Sequence, residues 1–319
     1  MSFGDSLLEA LGRAPRRPTH PNEAAQVLHG LKRGRGMRVT RLLEEIRANP
    51  RRPVWRHRRW AVLIGINLAF TASYWLDIQI LEGSLTASRL LGFHLADPYS
   101  TALVALSERR LPVNLLIGAA TVSLVWGILG GRAYCAWVCP YHLVAEWAEL
   151  LHSWLAERKI VRDHPLHRGV RTLLWIAFAA LALATGRTLF LTLNPIGILS
   201  RAVVYGPSLA LLWVLLLLAI EIVYSRRAWC RYVCPIGLTY GLIGAKAPVR
   251  IVYNLETCAH EGECRKVCEV PHVLDPTIKG RAEDVKVDIG ADCTRCGMCV
   301  DACPTSSLHF QVKGPEDLL

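Results

Sequence analysis

The cysteines of this chain fall into four short groups, whose spacing matters more than their number. The groups are Cys135/Cys139, Cys230/Cys234, Cys258/Cys264/Cys268 and Cys293/Cys296/Cys299/Cys303. The odd total of 11 argues against a simple disulfide framework. Thiolates grouped this closely are far more often metal ligands than halves of bridges. The pattern therefore indicates metal sites in a reducing compartment.

The last group has the spacing of cluster ligands in bacterial ferredoxins. It reads Cys293-x2-Cys296-x2-Cys299-x3-Cys303-Pro304. Two-residue gaps let three thiolates surround one 4Fe–4S cluster, while the fourth, before proline, reaches a second cluster. Residues 251–312 are therefore predicted to form an α+β two-cluster ferredoxin domain of bacterial type, followed by a tail at 313–319.

The same motif recurs upstream with one change, because Glu261 stands where the second cysteine belongs. By the exchange rule, the intact cluster would use Cys293, Cys296, Cys299 and Cys268. The other would use Cys258, Cys264 and Cys303 and have an open fourth place. Three interpretations remain: a 3Fe–4S cluster, a 4Fe–4S cluster with Glu261 or His260 as the odd ligand, or loss of the cluster.

Two further motifs resemble each other. Gly131-Arg132-Ala133-Tyr134-Cys135 leads to Cys139-Pro140, and Arg226-Arg227-Ala228-Trp229-Cys230 leads to Cys234-Pro235. Proline after the second cysteine suits the first turn of a helix, which would set Cys139 and Cys234 near helix N-termini, where the dipole favours thiolate. The four cysteines are predicted to hold a further cluster or to form a redox-active dithiol.

The remaining composition favours membrane spans, since 52% of the 319 residues are hydrophobic and only 20% are charged. Four apolar stretches of about 20 residues are predicted to be transmembrane helices. They cover about 60–80, 112–131, 170–191 and 207–224. The predicted fold is an α-helical membrane protein with four transmembrane helices in two pseudo-repeats over 55–250, joined to the ferredoxin domain.

Lysine and arginine are unevenly distributed around these stretches, which predicts the orientation. They concentrate before the first stretch, between the second and third, and after the fourth. The positive-inside rule then predicts a multi-pass protein of the bacterial inner membrane. Both termini, the ferredoxin domain and a basic extension over 1–54 would be cytoplasmic, with 81–111 and 192–205 outside. An amphipathic helix over 37–47 or a disordered tail would suit the extension. The net charge of +11 is assigned to these loops and not to nucleic-acid binding.

The chain resembles the NapH-type family of ferredoxin-type quinol dehydrogenase subunits, with its MauN and NosR-like relatives. The most specific stretch runs from Arg226 through Cys234-Pro235-Ile236-Gly237 to Gly244, with Asn194-Pro195 in support. The resemblance implies an electron-transfer component, and not a self-sufficient enzyme, that oxidises membrane quinol. Its implied partners are another iron–sulfur or multihaem cytochrome c subunit and a periplasmic reductase or dehydrogenase. Alternatives are an accessory factor in maturation of a periplasmic enzyme and a thiol redox sensor.

Quinol oxidation releases two protons, so ionisable residues near the apolar stretches are candidates for the quinol site. Glu221 and His142 are the principal candidates. Asp77 is a further one, and Glu146 follows His142 by four residues on one helical face.

Overall fold

The computed structural model describes residues 3–13, 21–32, 44, 53–76, 81–84, 87–90 and 93–314. Asp77 and, apart from residue 44, the helix expected over 37–47 lie outside these residues. Two short helices of the N-terminal extension are described, α1 (Phe3–Ala10) and α2 (Glu23–Lys32). A longer helix, α3 (Val54–Trp75), follows.

After α3 the chain forms an antiparallel sheet of β1 (Leu81–Ser84), β2 (Ala87–Leu90) and β3 (Phe93–Ala96), in the order β1-β2-β3. Helix α4 (Pro98–Glu108) begins where Asp97 caps it, because the Asp97 side chain accepts a hydrogen bond from the Ser100 amide at 2.8 Å.

Each C-x3-C-P motif lies at a break between helices. In the first repeat, α5 (Val113–Leu129) ends at Gly130, whose φ of 115° lies in the region that favours glycine. Helices α6 (Ala133–Trp137) and α7 (Pro140–Glu157) follow. In the second, α11 (Leu211–Val223) precedes a π-helical turn (Trp229–Val233) and α12 (Pro235–Ile243). Proline opens the helix after each motif.

Three helices connect the repeats: α8 (Gly169–Thr185), α9 (Leu189–Leu193) and α10 (Pro195–Tyr205). Asn194, part of the Asn194-Pro195 pair, caps α10 by accepting a hydrogen bond from the Ile196 amide at 3.1 Å. The aromatic core of this part stacks the two repeats together, with the rings of Tyr134 and Tyr240 4.6 Å apart.

The prediction of four transmembrane helices is wrong. In the part of the chain that the structure describes, no helix combines the length and the apolar character needed to cross a membrane. The apolar stretches end early: α5 and α8 each stop at a left-handed glycine after 17 residues, and α11 has 13. Helix α3 is 22 residues long but carries Arg56, Arg58 and Arg59. The predicted multi-pass location in the inner membrane is overturned by the same finding.

The C-terminal part is built on an antiparallel sheet with the order β5-β4-β6. Its strands are β4 (Val249–Asn254), β5 (Lys286–Asp288) and β6 (Leu308–Val312). Short helices carry cysteines beside it: α13 (Glu263–Lys266) and α14 (Met298–Ala302), with 3-10 turns at Gly244–Lys246 and Pro271–Thr277. Buried Ile251, Tyr253 and Leu308 pack against the thiols in one core.

Candidate iron–sulfur centres

The four cysteines of the C-x3-C-P motifs, Cys135, Cys139, Cys230 and Cys234, line one cavity. Cys139 and Cys234 each occupy the N-cap position of the helix that their proline opens. The pairs are therefore brought together from the two repeats. The same cavity is bordered by Glu269 and Thr294 of the C-terminal part.

Burial and mutual proximity raise the pKa values of these thiols, so their thiolate forms need a cation nearby. Burial, and then the nearby Cys135 thiol, raise the pKa of Cys234 to about 12, and the same two causes raise the pKa of Cys139. Backbone amides at the start of the following helices act in the opposite sense on both cysteines. Thiolates packed together in a buried cavity repel one another unless a positive centre binds them, so this donor set fits an iron–sulfur cluster.

A second group of thiols lies in the C-terminal part. Burial raises the pKa of Cys299 well above its ordinary value, and the charges of Cys268, Cys296 and Cys293 add to that rise. The structure thus brings Cys268 to the three cysteines that the exchange rule assigns to the intact cluster, across 25 residues of sequence from Cys293. This set is called the regular site. All eleven cysteines lie in the described part of the chain and are free of disulfide bonds.

A third group contains Cys258, Cys264 and Cys303, and is called the atypical site. Burial raises the pKa of Cys264 to about 11, partly offset by Thr277 and reinforced by Glu261, Cys258 and Cys303. Glu261 therefore lies close to these thiols, and its Oε2 is buried without a hydrogen-bond partner among the described residues. The His260 ring is held through Nδ1, 2.9 Å from the carbonyl oxygen of Thr277. The Nε2 of the His260 ring, like the Oε2 of Glu261, is buried without a hydrogen-bond partner among the described residues. Both ligand candidates therefore remain.

Two arginines at equivalent positions of the repeats join the motif cavity to the regular site. Arg132 and Arg227 each stand three residues before the first cysteine of their motif. Arg132 donates a 2.6 Å hydrogen bond to Asp292, which precedes Cys293. A guanidinium nitrogen of Arg227 lies 3.3 Å from Glu269, which follows Cys268. These arginine–carboxylate pairs, which we call the paired bridges, were missed from sequence, although the shared position of the two arginines was a usable signal.

Each bridge belongs to a larger buried ion cluster. Asp292 also accepts a 2.8 Å hydrogen bond from Arg171, and His272 lies 2.9 Å away. Burial alone would raise the pKa of Asp292, but Arg132 and Arg171 hold it well below its usual range. Asp292 is therefore ionised and shared between Arg132 and Arg171.

Glu269 has similar surroundings. Arg59 donates to it at 3.0 Å, and its Oε1 is 2.8 Å from His142 Nε2. Burial would raise the pKa of Glu269, but Arg227, His142 and Arg59 lower it well below its ordinary value. His142, Glu146 and Glu269 have ligand atoms within 4.8 Å of one another. Arg59 bonds to all three, so their charge is already balanced by ion pairs and they fit a metal ion poorly.

Of the predicted quinol residues, His142 borders the motif cavity. Glu221 does not line the cavity, but it lies close to Cys230, and burial followed by the charge of Glu221 raises the pKa of that thiol. Glu221 is buried, and its Oε1 accepts a 3.0 Å hydrogen bond from the amide of Trp229, next to Cys230. Its Oε2 has no hydrogen-bond partner in the described residues. Burial raises the pKa of Glu221 to about 7, against the opposing effects of the Trp229 amide and Arg227. Burial lowers the pKa of His142 and keeps the ring neutral.

Comparison with known proteins agrees with this geometry. Residues 111–159 and 206–251, which contain the two C-x3-C-P motifs, match a family described as a 4Fe-4S binding domain. Residues 289–308 match a second family with the same description. The Methylamine utilization ferredoxin-type protein MauN of Methylorubrum extorquens is 32% identical over 266 residues, which are 82% of this chain and 89% of that protein. The chain belongs to the family of NapH and MauN ferredoxin-type proteins.

Other members of this family match over similar lengths. Ferredoxin-type protein NapH of Haemophilus influenzae is 32% identical over 254 residues, covering 78% of this chain and 87% of the relative. A second MauN, from Paracoccus denitrificans, is 36% identical over 227 residues, covering 70% and 76%. No solved structure matches the chain. Membership of this family confirms the prediction of an iron–sulfur, ferredoxin-type electron-transfer protein that works with redox partners. The ligand assignments and the quinol remain predictions.

Proposed function

We propose that this ferredoxin-type protein relays electrons from a quinol through three iron–sulfur sites to a partner redox protein. The enzyme served would be a periplasmic reductase or dehydrogenase, with another iron–sulfur or multihaem cytochrome c subunit as the partner. The observation that carries the proposal is the cavity shared by the four motif cysteines, because Glu269 and Thr294 of the C-terminal part border the same cavity.

Cys135, Cys139, Cys230 and Cys234 would hold a 4Fe–4S cluster in this cavity, with two thiolates from each repeat. Cys268, Cys293, Cys296 and Cys299 would hold the second at the regular site. Such clusters, when bound, supply one-electron redox chemistry. The protein contributes burial of the thiolates and a fixed separation between the sites, and the paired bridges support that role because they join residues beside both ligand sets.

At the atypical site we propose Glu261 as the fourth ligand beside Cys258, Cys264 and Cys303. The support is the position of Glu261, which stands where the second cysteine of the motif belongs, together with its unpartnered buried Oε2. A carboxylate oxygen buried without a hydrogen bond is unfavourable unless a cation binds it. A carboxylate is harder than a thiolate and is exchanged more readily. The atypical site would therefore differ from the regular one in potential and lability.

At the quinol end, Glu221 would accept a proton released as the quinol is oxidised. Its support is its position beside Cys230 and a pKa that burial raises to about 7, which allows proton uptake and release near neutral pH. His142 would contribute through the cavity wall, where burial favours the neutral form of its imidazole.

The test is anaerobic purification followed by addition of duroquinol, with cluster reduction followed by EPR. We expect reduction of wild type by duroquinol, slower reduction in Glu221→Gln, and equal reduction of both by dithionite. Glu157→Gln, on the exposed end of α7, is the matched control and should behave as wild type. Clusters that dithionite reduces and duroquinol does not would refute the quinol donor while leaving the iron–sulfur sites in place.

A further inference from the structure

The second helix of the N-terminal extension lies against the atypical site. Ala25, in the middle of α2, is fully buried in the same core as Cys258, Cys264 and Cys303. The N-terminal end of α2 is held by a 2.8 Å hydrogen bond, which the backbone N–H of Asn22 donates to the carbonyl oxygen of Glu283. The sequence predicted no helix over residues 21–32, and this part of the extension packs on the ferredoxin fold.

The helix ends on a buried lysine. Lys32 is only 8% exposed, and its ammonium group donates hydrogen bonds to three backbone carbonyl oxygens. These belong to Leu255, to Glu256 at 2.9 Å and to Cys258 at 2.6 Å. A lysine ammonium has three donors and no acceptor, so backbone carbonyl oxygens are suitable partners for it. One of the carbonyls belongs to a cysteine of the atypical site itself.

Burial of an ammonium group in this way is unfavourable unless a nearby anion or dipole compensates for its lost hydration. The three carbonyl dipoles contribute, and the contact with the Cys258 carbonyl oxygen sets the ammonium group beside the chain segment that carries one thiol of the atypical site. A positive charge fixed beside a cluster favours its reduced form, because reduction adds negative charge. The carbonyl contacts also fix the turn that presents Cys258.

We propose that residues 21–32 form a clamp over the atypical site, in which Lys32 positions the Cys258 turn and raises the reduction potential of the cluster held there. This rests on the proposed function, since it takes Cys258, Cys264 and Cys303 as cluster ligands. The carbonyl oxygens that Lys32 contacts belong to the chain segment of Cys258, which is assigned to the atypical site. The effect of Lys32 is therefore expected to be larger at the atypical cluster than at the regular one.

The experiment is an EPR redox titration of the full-length, anaerobically purified protein. Lys32→Met keeps the length of the side chain and removes its charge, and it should lower the potential of the atypical cluster more than that of the regular one. Lys32→Arg keeps the charge and should stay closer to wild type. Lys266→Met is the matched control, because Lys266 lies two residues from Cys264 but is 70% exposed, and it should cause no shift.

A second variant tests the clamp without touching the lysine. Ala25→Asp places a carboxylate in the fully buried position of α2 and should release the helix. We expect the same downward shift, with faster loss of iron in air and faster proteolysis within 21–32. If wild type shows the signal of the atypical cluster but Lys32→Met leaves its potential unchanged, the role of Lys32 is overturned while the proposed atypical site stands. Absence of that signal in wild type would overturn the proposed atypical site and the clamp together.

Discussion

The Arg132–Asp292 bridge predicts that loss of one buried carboxylate weakens the contact between the C-terminal part and the helical part. The perturbation is Asp292→Asn, which keeps the size of the side chain and removes its charge. Asp292 is 1% exposed, 2.6 Å from Arg132 and 2.8 Å from Arg171. Without its charge, two buried guanidinium groups lose their counterion.

Breaking a buried ion pair by removing one partner costs about 3–5 kcal/mol, a large part of the stability of an ordinary domain. The matched control is Asp288→Asn, the same chemical change four residues away. Asp288 pairs with Arg250 at 3.1 Å, but the two side chains are 22% and 17% exposed. Asp288 also pairs with Lys313 at 2.7 Å. Partly exposed pairs of this kind contribute less than buried ones, about 0–1 kcal/mol when fully exposed.

The assay is urea unfolding of anaerobically purified protein, followed by tryptophan fluorescence and by cluster absorbance. Asp292→Asn should move the midpoint to clearly lower urea and release the clusters early, while Asp288→Asn stays near wild type. Equal midpoints for the two variants would refute the reasoning that Asp292 joins the two parts.

Three further outcomes are expected. Glu261→Cys should shift the potential of one cluster in an EPR redox titration and leave the other nearly unchanged; identical titrations in both proteins would remove Glu261 from the ligand set. Trp137→Phe deletes the indole N–H that donates to the Arg295 carbonyl oxygen at 3.1 Å, and should lower the free energy of unfolding by about 1 kcal/mol with the iron content unchanged. Asp97→Asn should stabilise the protein at pH 7 by about 3 kcal/mol, because burial raises the pKa of Asp97 to about 6 from 3.8. Because the pKa is raised in the folded state, the stability of wild type falls as pH rises from about 4 to 6. The contribution of Asp97 to this fall in melting temperature should be absent in the variant.

Much of the site could be predicted from sequence because cluster ligands are local. The spacing of Cys293 to Cys303 carries the ferredoxin character by itself, and the repeated C-x3-C-P pattern indicated that the two motifs act together. The structure brings their cysteines to one cavity. The family resemblance that these residues carried is confirmed.

The errors came from features that depend on tertiary contacts. Arg59, Arg132 and Arg227 were counted as charged loop residues, but each is buried against a carboxylate from the C-terminal part. Hydropathy alone could not show where the apolar helices end, since the left-handed glycines Gly130 and Gly186 shorten them. Neither charge counts nor hydropathy windows detect a buried ion pair or a glycine that ends a helix.

The central claim is that the C-x3-C-P cysteines hold a cluster of their own beside the two sites of the ferredoxin fold. Iron and sulfide analysis with EPR on wild type, Cys135→Ser and Cys230→Ser tests it most directly. The account predicts about eleven to twelve irons per chain in wild type and a loss of about four in each variant, with the ferredoxin signals retained. The double variant should lose no more than either single one, because the four ligands act as a unit. About eight irons or fewer in wild type, unchanged in both variants, would contradict it.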